Sequence, residues 1–207
     1  MRKLALDGVA LAFEDLGRGA PPILLVHDLG SDHSSFAQQI EHFRHNHRVV
    51  AVDLRGHGLS GGQPAQSPAG FASDLAQLCY ELGVYLPAVI GHGLGGTIAI
   101  ELASRFPDIP AAVVALDAPI GSLAGTLGAP SPVAAPSRVP VLYVDAGCET
   151  VDLRRLRQMC PLLTVSSFEG AGHLIHLEWP EQINALLDSF LKRSEREPSV
   201  GIYPAEE

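Results

Sequence analysis

Four short stretches of this chain collect residues that can move protons or hold charge. They are His27-Asp28-Leu29-Gly30, Asp53-Leu54-Arg55-Gly56-His57-Gly58-Leu59-Ser60, Gly91-His92-Gly93-Leu94-Gly95-Gly96, and Gly170-Ala171-Gly172-His173 with Leu177-Glu178-Trp179-Pro180-Glu181 after it. Imidazoles and carboxylates are the side chains most often used as general acids and bases near neutral pH. The third stretch has no nucleophilic side chain at its centre, where Gly93 stands. Cysteine adds little: Cys79, Cys148 and Cys160 form no C-x-x-C pair and no metal-ligand spacing. Nothing in these patterns asks for a metal or a cofactor. Gly91-x-Gly93-x-x-Gly96 does match a dinucleotide fingerprint literally, but the other three stretches have no role in a dinucleotide fold.

The elements that must carry these residues alternate. Lys3 to Leu16 reads as two short strands around Asp7-Gly8. Ile23 to His27 and Arg48 to Asp53 are unbroken apolar runs, as in strands buried on both faces. Ala88 to Ile90, Ala111 to Leu116, Val141 to Val144 and Leu162 to Phe168 are further strands. Helical spacing appears over Ser34 to Phe43, Phe71 to Leu82, Thr97 to Phe106, Asp152 to Met159 and Pro180 to Lys192. Gly121 to Pro140 is rich in Gly, Ala, Ser and Pro and reads as a flexible loop. Alternating strands and helices imply an α/β fold, a mostly parallel twisted sheet with helices on both faces. In such sheets ligands bind beyond the carboxyl ends of the strands. That is where all four stretches fall. One domain over residues 1–193 is expected, followed by a loosely held tail over 194–207.

Composition narrows the function. The 207 residues are 46% hydrophobic and 18% charged, which is globular rather than disordered. A formal charge of −9 argues against nucleic acid as a partner. No apolar run approaches a membrane span, and Met1-Arg2-Lys3 leads into a short alternating stretch rather than a signal segment. The sparse cysteines fit a reducing cytoplasm.

In their order and spacing, the four stretches resemble the α/β-hydrolase fold family, from about residue 5 to residue 192. That family carries its nucleophile on a strand-turn-helix elbow, G-x-S-x-G, whose serine gives its proton to a histidine steered by an acid. The resemblance puts the general base at His173 and the nucleophile position at Gly93. It puts the oxyanion N–H groups at Leu29 and Leu94, and an ungapped match of Pro140 to Glu149 puts the acid at Glu149. Asp145, Asp152 and Asp117 remain alternative acids. His27, His57 and His92 fall in stretches whose usual work is to support the loops. His42, His45 and His47 read as solvated charge at a helix end. His33 and His176 fit no ligand pattern.

Three departures from the family pattern shape the expected function. Gly93 can form no acyl-enzyme. Asp28 stands where the oxyanion loop usually has glycine, and an ionised carboxylate there opposes a developing negative charge. Only the loop from Gly121 to Pro140 occupies the place of the usual lid. The expectation is a hydrolase of a small ester, lactone or related carbonyl compound, using a His–acid pair without a serine. Water in the space above Gly93 would be the attacking group, and Asp28 a second acid or base. The alternatives are a catalytically inactive ligand-binding or interaction protein on the same scaffold, or a serine esterase whose serine has been exchanged for glycine. Without a lid, apolar surface is left that a protein partner could cover.

Overall fold

The computed structural model describes residues 1–6, 8–121, 136–149 and 151–194. Eight strands form one sheet: β1 (Arg2–Leu6), β2 (Val9–Leu16), β3 (Ile23–Val26), β4 (Val49–Val52), β5 (Ala88–His92), β6 (Ala112–Leu116), β7 (Val141–Asp145) and β8 (Leu163–Ser167). Their order is β1-β2-β4-β3-β5-β6-β7-β8. β1 with β2, and β2 with β4, run antiparallel, and every other pair is parallel. The helices are α1 (Ala37–Phe43), α2 (Pro68–Leu82), α3 (Leu94–Arg105), α4 (Leu153–Met159), α5 (Ile175–Glu178) and α6 (Pro180–Ser194). A 3-10 turn over His33–Phe36 leads into α1, capped by the Asp32 side chain on the Ser34 N–H.

Side chains of a strand alternate between its two faces, so each apolar run feeds two cores. Leu24, Val26, Val50, Val52, Val89, Val113 and Tyr143 pack with Phe71, Leu75, Ile98 and Leu156 of α2, α3 and α4. Ile23, Leu25, Val49, Ala51, Ile90, Val114 and Val144 pack with Phe36, Ile40, Ile183 and Leu187 on the α1 and α6 side. The parallel α/β sheet with helices on both faces is therefore the architecture the apolar runs imply.

Most element boundaries agree with the sequence pattern to within a few residues. The helix after β5 starts at Leu94 rather than Thr97, because the Gly-rich turn itself is wound into its first turn. The four-residue helix α5 is not anticipated by the sequence pattern; it is too short to show a period. The expected lidless loop lies mostly at 122–135, and the expected tail at 195–207, both outside the described residues, as is Asp7 of the first hairpin. Among the described residues no helix is long and apolar enough to cross a membrane.

The chain passes from β3 to β4 on one side and then returns to place β5 on the other side of β3. The carboxyl ends of β3 and β5 thus flank the switch point where open α/β sheets form their crevice. Glycine makes the close approach there possible. A Cβ on Gly91 would stand 2.2 Å from the Gly95 backbone, and one on Gly95 only 2.1 Å from the Val26 carbonyl oxygen. Neither obstacle is a flexible side chain. Gly95→Ala is expected to cost about 3 kcal/mol or more in urea unfolding, because β3 and α3 must part to admit the methyl group.

Candidate active site

Four strand ends deliver the site: Asp28 after β3, Gly93 and Leu94 after β5, Asp117 after β6, and His173 after β8. Gly93 sits at φ +52° and ψ −122°, between strand and helix. That backbone favours glycine, since a Cβ would crowd the chain at positive φ. Asp117 also has positive φ, +42°, and is fully buried. Asp is among the few residues that accept this region, through its short polar side chain.

The imidazole of His173 is held from both sides. Its Nδ1–H donates to Asp117 Oδ2 over 2.7 Å, and Asp117 Oδ1 accepts from the Ala146 N–H at 3.2 Å. This fixes the ring orientation and leaves Nε2 facing Asp28 Oδ2 at 3.1 Å. The acid behind His173 is therefore Asp117, a correction to the expectation of Glu149. Glu149 Oε1 lies 4.0 Å from the same Nδ1, beyond hydrogen-bond reach, and its side chain is 36% exposed where that of Asp117 is buried. The physical reason is reach. Asp117 leaves β6 one residue beyond the strand and turns inward at once, whereas Glu149 is carried outward by the turn after β7.

The space above Gly93 is also different from expectation. The Asp28 carboxyl group stands where a side chain on residue 93 would begin. A Cβ placed on Gly93 would lie 2.2 Å from both Cγ and Oδ1 of Asp28. The Leu94 N–H, expected to be an open oxyanion donor, donates to Asp28 Oδ1 over 2.6 Å, and the Leu29 N–H acts on the same carboxyl group. A carboxylate from the β3 loop thus fills the place of an elbow side chain, with Oδ1 on the Leu94 N–H and Oδ2 on the histidine.

One proton must lie between His173 and Asp28. With Nδ1–H committed to Asp117, a neutral ring would point a bare lone pair at a carboxylate oxygen. Burial disfavours the charged ring, but the hydrogen bonds to Asp117 and Asp28 outweigh it and raise the His173 pKa above its ordinary value. For Asp28, burial pushes upward, yet the Leu94 N–H, the His173 ring and the Leu29 N–H together hold it below the ordinary carboxylate range. The two shifts run in the same sense, toward a charged ring facing a charged Asp28.

The other histidines support it. His27 Nδ1–H donates to the Asp28 carbonyl at 2.6 Å while its Nε2 accepts from the Leu54 N–H at 2.9 Å, so the ring ties the β3 loop to the β4 loop. His92 Nε2–H donates to the His173 carbonyl over 2.7 Å, and its ring lies 4.4 Å from those of both His173 and His176. His176 is fully buried, and burial followed by the nearby His92 pushes its pKa down to about 3. It is a neutral packing ring, and no local signal in the sequence marks it as one. The His57 Nδ1–H donates to the Arg55 carbonyl at 3.0 Å.

Among the described residues, two groups bring potential ligand atoms within 4.8 Å of one another: Asp28, His92 and His173, and Asp32, His33 and Asp53. Protein donors already use much of both. Asp53 Oδ1 accepts from the His33 N–H and ring, and Oδ2 from the Leu59 N–H. In the first group His92 Nε2 is spent on a carbonyl, and Asp28 and His173 are bonded to each other.

Residues 21–137 match the family model described as alpha/beta hydrolase fold. The chain is 39% identical over 196 residues to the magnesium-chelatase 30 kDa subunit of Rhodobacter capsulatus, covering 89% of this chain and 66% of that protein. It is 31% identical over 128 residues to the sn-1-specific diacylglycerol lipase of Mus musculus, covering 58% of this chain and 42% of that one. The chain thus spans less than two thirds of these relatives' length. A thermophilic esterase from Thermogutta terrifontis superposes with a TM-score of 0.78 at 21% identity, over 94% of this chain and 99% of its own. At that identity the likeness concerns the fold.

The two carboxylates leave a signature in titration. A raised His173 pKa adds stability that is complete below the unfolded value near 6.5 and is lost as pH rises through the folded value. The depressed Asp28 pKa adds stability above the unfolded value near 3.8 that is lost as pH falls through the folded value. Imidazole NMR is expected to place the His173 midpoint above 6.5. Asp28→Asn and Asp117→Asn should each bring it down, and Glu149→Gln should move it less than either.

Proposed function

Because this chain belongs to the α/β-hydrolase fold family, we propose that it is a hydrolase in which Asp117 and His173 work with the carboxylate of Asp28, set where the family's serine would stand. No acyl-serine forms in this reading, and the substrate is a small, neutral or weakly polar molecule cleaved by water. The observation that carries it is the chain of contacts Asp117–His173–Asp28, at 2.7 and 3.1 Å, ending in the space above Gly93. An imidazole, a carboxylate that orients it and a carboxyl group beside the turn at Gly93 support this reading.

A second reading rests on a separate pair of observations. The Leu94 N–H is already satisfied inside the protein. The R. capsulatus relative carries the name of a chelatase subunit rather than of a hydrolase. On that reading the chain binds a ligand or partner without turning it over, and the Asp28–His173 pair is a structural clamp.

Turnover decides between them. On a panel of small hydrolysable compounds, esters and lactones among them, His173→Ala should abolish activity, and Asp117→Asn should lower kcat by about 10²–10⁴-fold. Activity absent from the native chain, or untouched by His173→Ala, would favour the clamp. A second expectation follows from the shared space. Gly93→Ser alone should yield no esterase, because its Cβ meets the Asp28 carboxyl group. Gly93→Ser with Asp28→Gly should hydrolyse p-nitrophenyl acetate, since the double change frees both the reacting position and the Leu94 N–H.

A further inference from the structure

We propose that the protein docks a basic segment of a partner protein, one that presents a single large apolar side chain, in a cleft at the edge of the sheet opposite the candidate site. The inference is independent of the hydrolase reading. Residues 84–86 lead into β5, and Asp108 and Ile109 lead toward β6. The cleft they line therefore lies at the amino ends of strands whose carboxyl ends carry Gly93 and Asp117.

The cleft has a volume of about 140 Å³. Sites for free small molecules run to about 300–1,000 Å³, so this one suits a single anchoring side chain rather than a whole ligand. Cys79 and Val84, both buried, line it from within, while Tyr80, Tyr85 and Leu86 stand around it 80%, 77% and 45% exposed. Three large apolar side chains exposed within seven residues of chain form a patch, not scattered apolar surface. Tyrosines beside a pocket are the composition of an interface hot spot, in which an anchor from the partner fills the pocket. Leu86 is also held at φ +49°, directly before Pro87. A non-glycine residue is disfavoured in that region. Glycine would relax the backbone there, and what leucine adds is exposed apolar surface.

The rim of the cleft is acidic. Glu81 and Asp108 are exposed, and among the described residues neither carboxylate has a hydrogen-bond or ion-pair partner. Glu81 stands in the last turn of α2, which holds no basic residue. A helix C-terminus carries partial negative charge and favours cations, so this carboxylate adds to charge of its own sign. Arg48 donates to the Leu82 and Gly83 carbonyls, but its guanidinium is held by both oxygens of Asp15. Charge complementarity then chooses the occupant. A second copy of the chain brings a formal charge of −9, and residues 195–207 bring Glu195, Glu197, Glu206 and Glu207 against Arg196 alone. Both repel the rim, whereas lysine or arginine beside an apolar anchor pairs with it.

The test titrates the isotope-labelled full chain with the peptide KRGFKR and reads amide NMR shifts, with KRGAKR and EEGFEE as controls. KRGFKR should bind about tenfold tighter than either control. Its shifts should fall on residues 79–86 and 108–109 and spare those around Asp28 and His173. Tyr80→Ala together with Tyr85→Ala should weaken it about tenfold. Leu86→Gly should also weaken it while leaving the thermal midpoint no lower than native, which separates docking from folding. Glu81→Gln with Asp108→Asn should weaken it and flatten its dependence on salt. Equal binding by KRGAKR, or binding that survives loss of both tyrosines, would overturn the cleft as an anchor site and leave only attraction to an acidic protein. Equal binding by EEGFEE would overturn the basic partner. Shifts centred on Asp28 and His173 would overturn the location, and a native dimer dispersed by the two tyrosine changes would put a second copy in the partner's place. No binding by KRGFKR would overturn the inference as a whole.

Discussion

The space above residue 93 admits one functional group, and the rest of the site is arranged around which group it is. A side chain on the elbow and a carboxylate from the β3 loop cannot both be there, because a Cβ at position 93 and the Asp28 carboxyl carbon would be 2.2 Å apart. Glycine at 93 and aspartate at 28 are therefore sterically matched. Glycine relieves the positive-φ turn of a Cβ and vacates the position; aspartate enters it from one strand away. The orientation of both oxygens follows, since one finds the amide at the start of α3 and the other finds the histidine.

The place of Asp28 also decides the electrostatics. A neutral hydroxyl facing an imidazole leaves the ring free to act as a base. A carboxylate in the same place pairs with it, and with Asp117 behind, the ring carries a proton over a wider pH range. Any chemistry must then begin by changing the charge on Asp28 or by displacing it. The neighbouring rings set the opposite condition: burial biases His92 and His176 toward neutrality, while the ring flanked by acids is shifted the other way.

The scaffold holds these groups within hydrogen-bond distance by means that have little to do with catalysis. Strand order brings the ends of β3 and β5 side by side, and glycine at 91 and 95 lets the elbow press against the β3 backbone. His27 ties the loop bearing Asp28 to the β4 loop, and His92 ties the β5 end to the His173 backbone. Site residues from four loops can hold a fixed geometry when each loop is anchored by backbone hydrogen bonds of this kind.

The amino-acid pattern by itself determined the parallel α/β sheet, because runs such as Leu24-Leu25-Val26 and Val49-Val50-Ala51 have to be buried on both faces. It also determined that glycine stands at 93, between strand and helix, and that His173 follows the last strand, since residue identity and chain order are local facts. It ranked Glu149 above Asp117, because linear spacing after a strand carries no measure of how sharply the chain turns inward; positive φ at Asp117 brings that carboxylate to 2.7 Å. It left Asp28 beside an empty space rather than inside it. Only the tertiary structure decided that point, because Asp28 and Gly93 are distant in the chain and meet through the adjacency of β3 and β5. Contacts made across parallel strands are set by sheet order and side-chain direction, and neither is written in the spacing of residues along one segment.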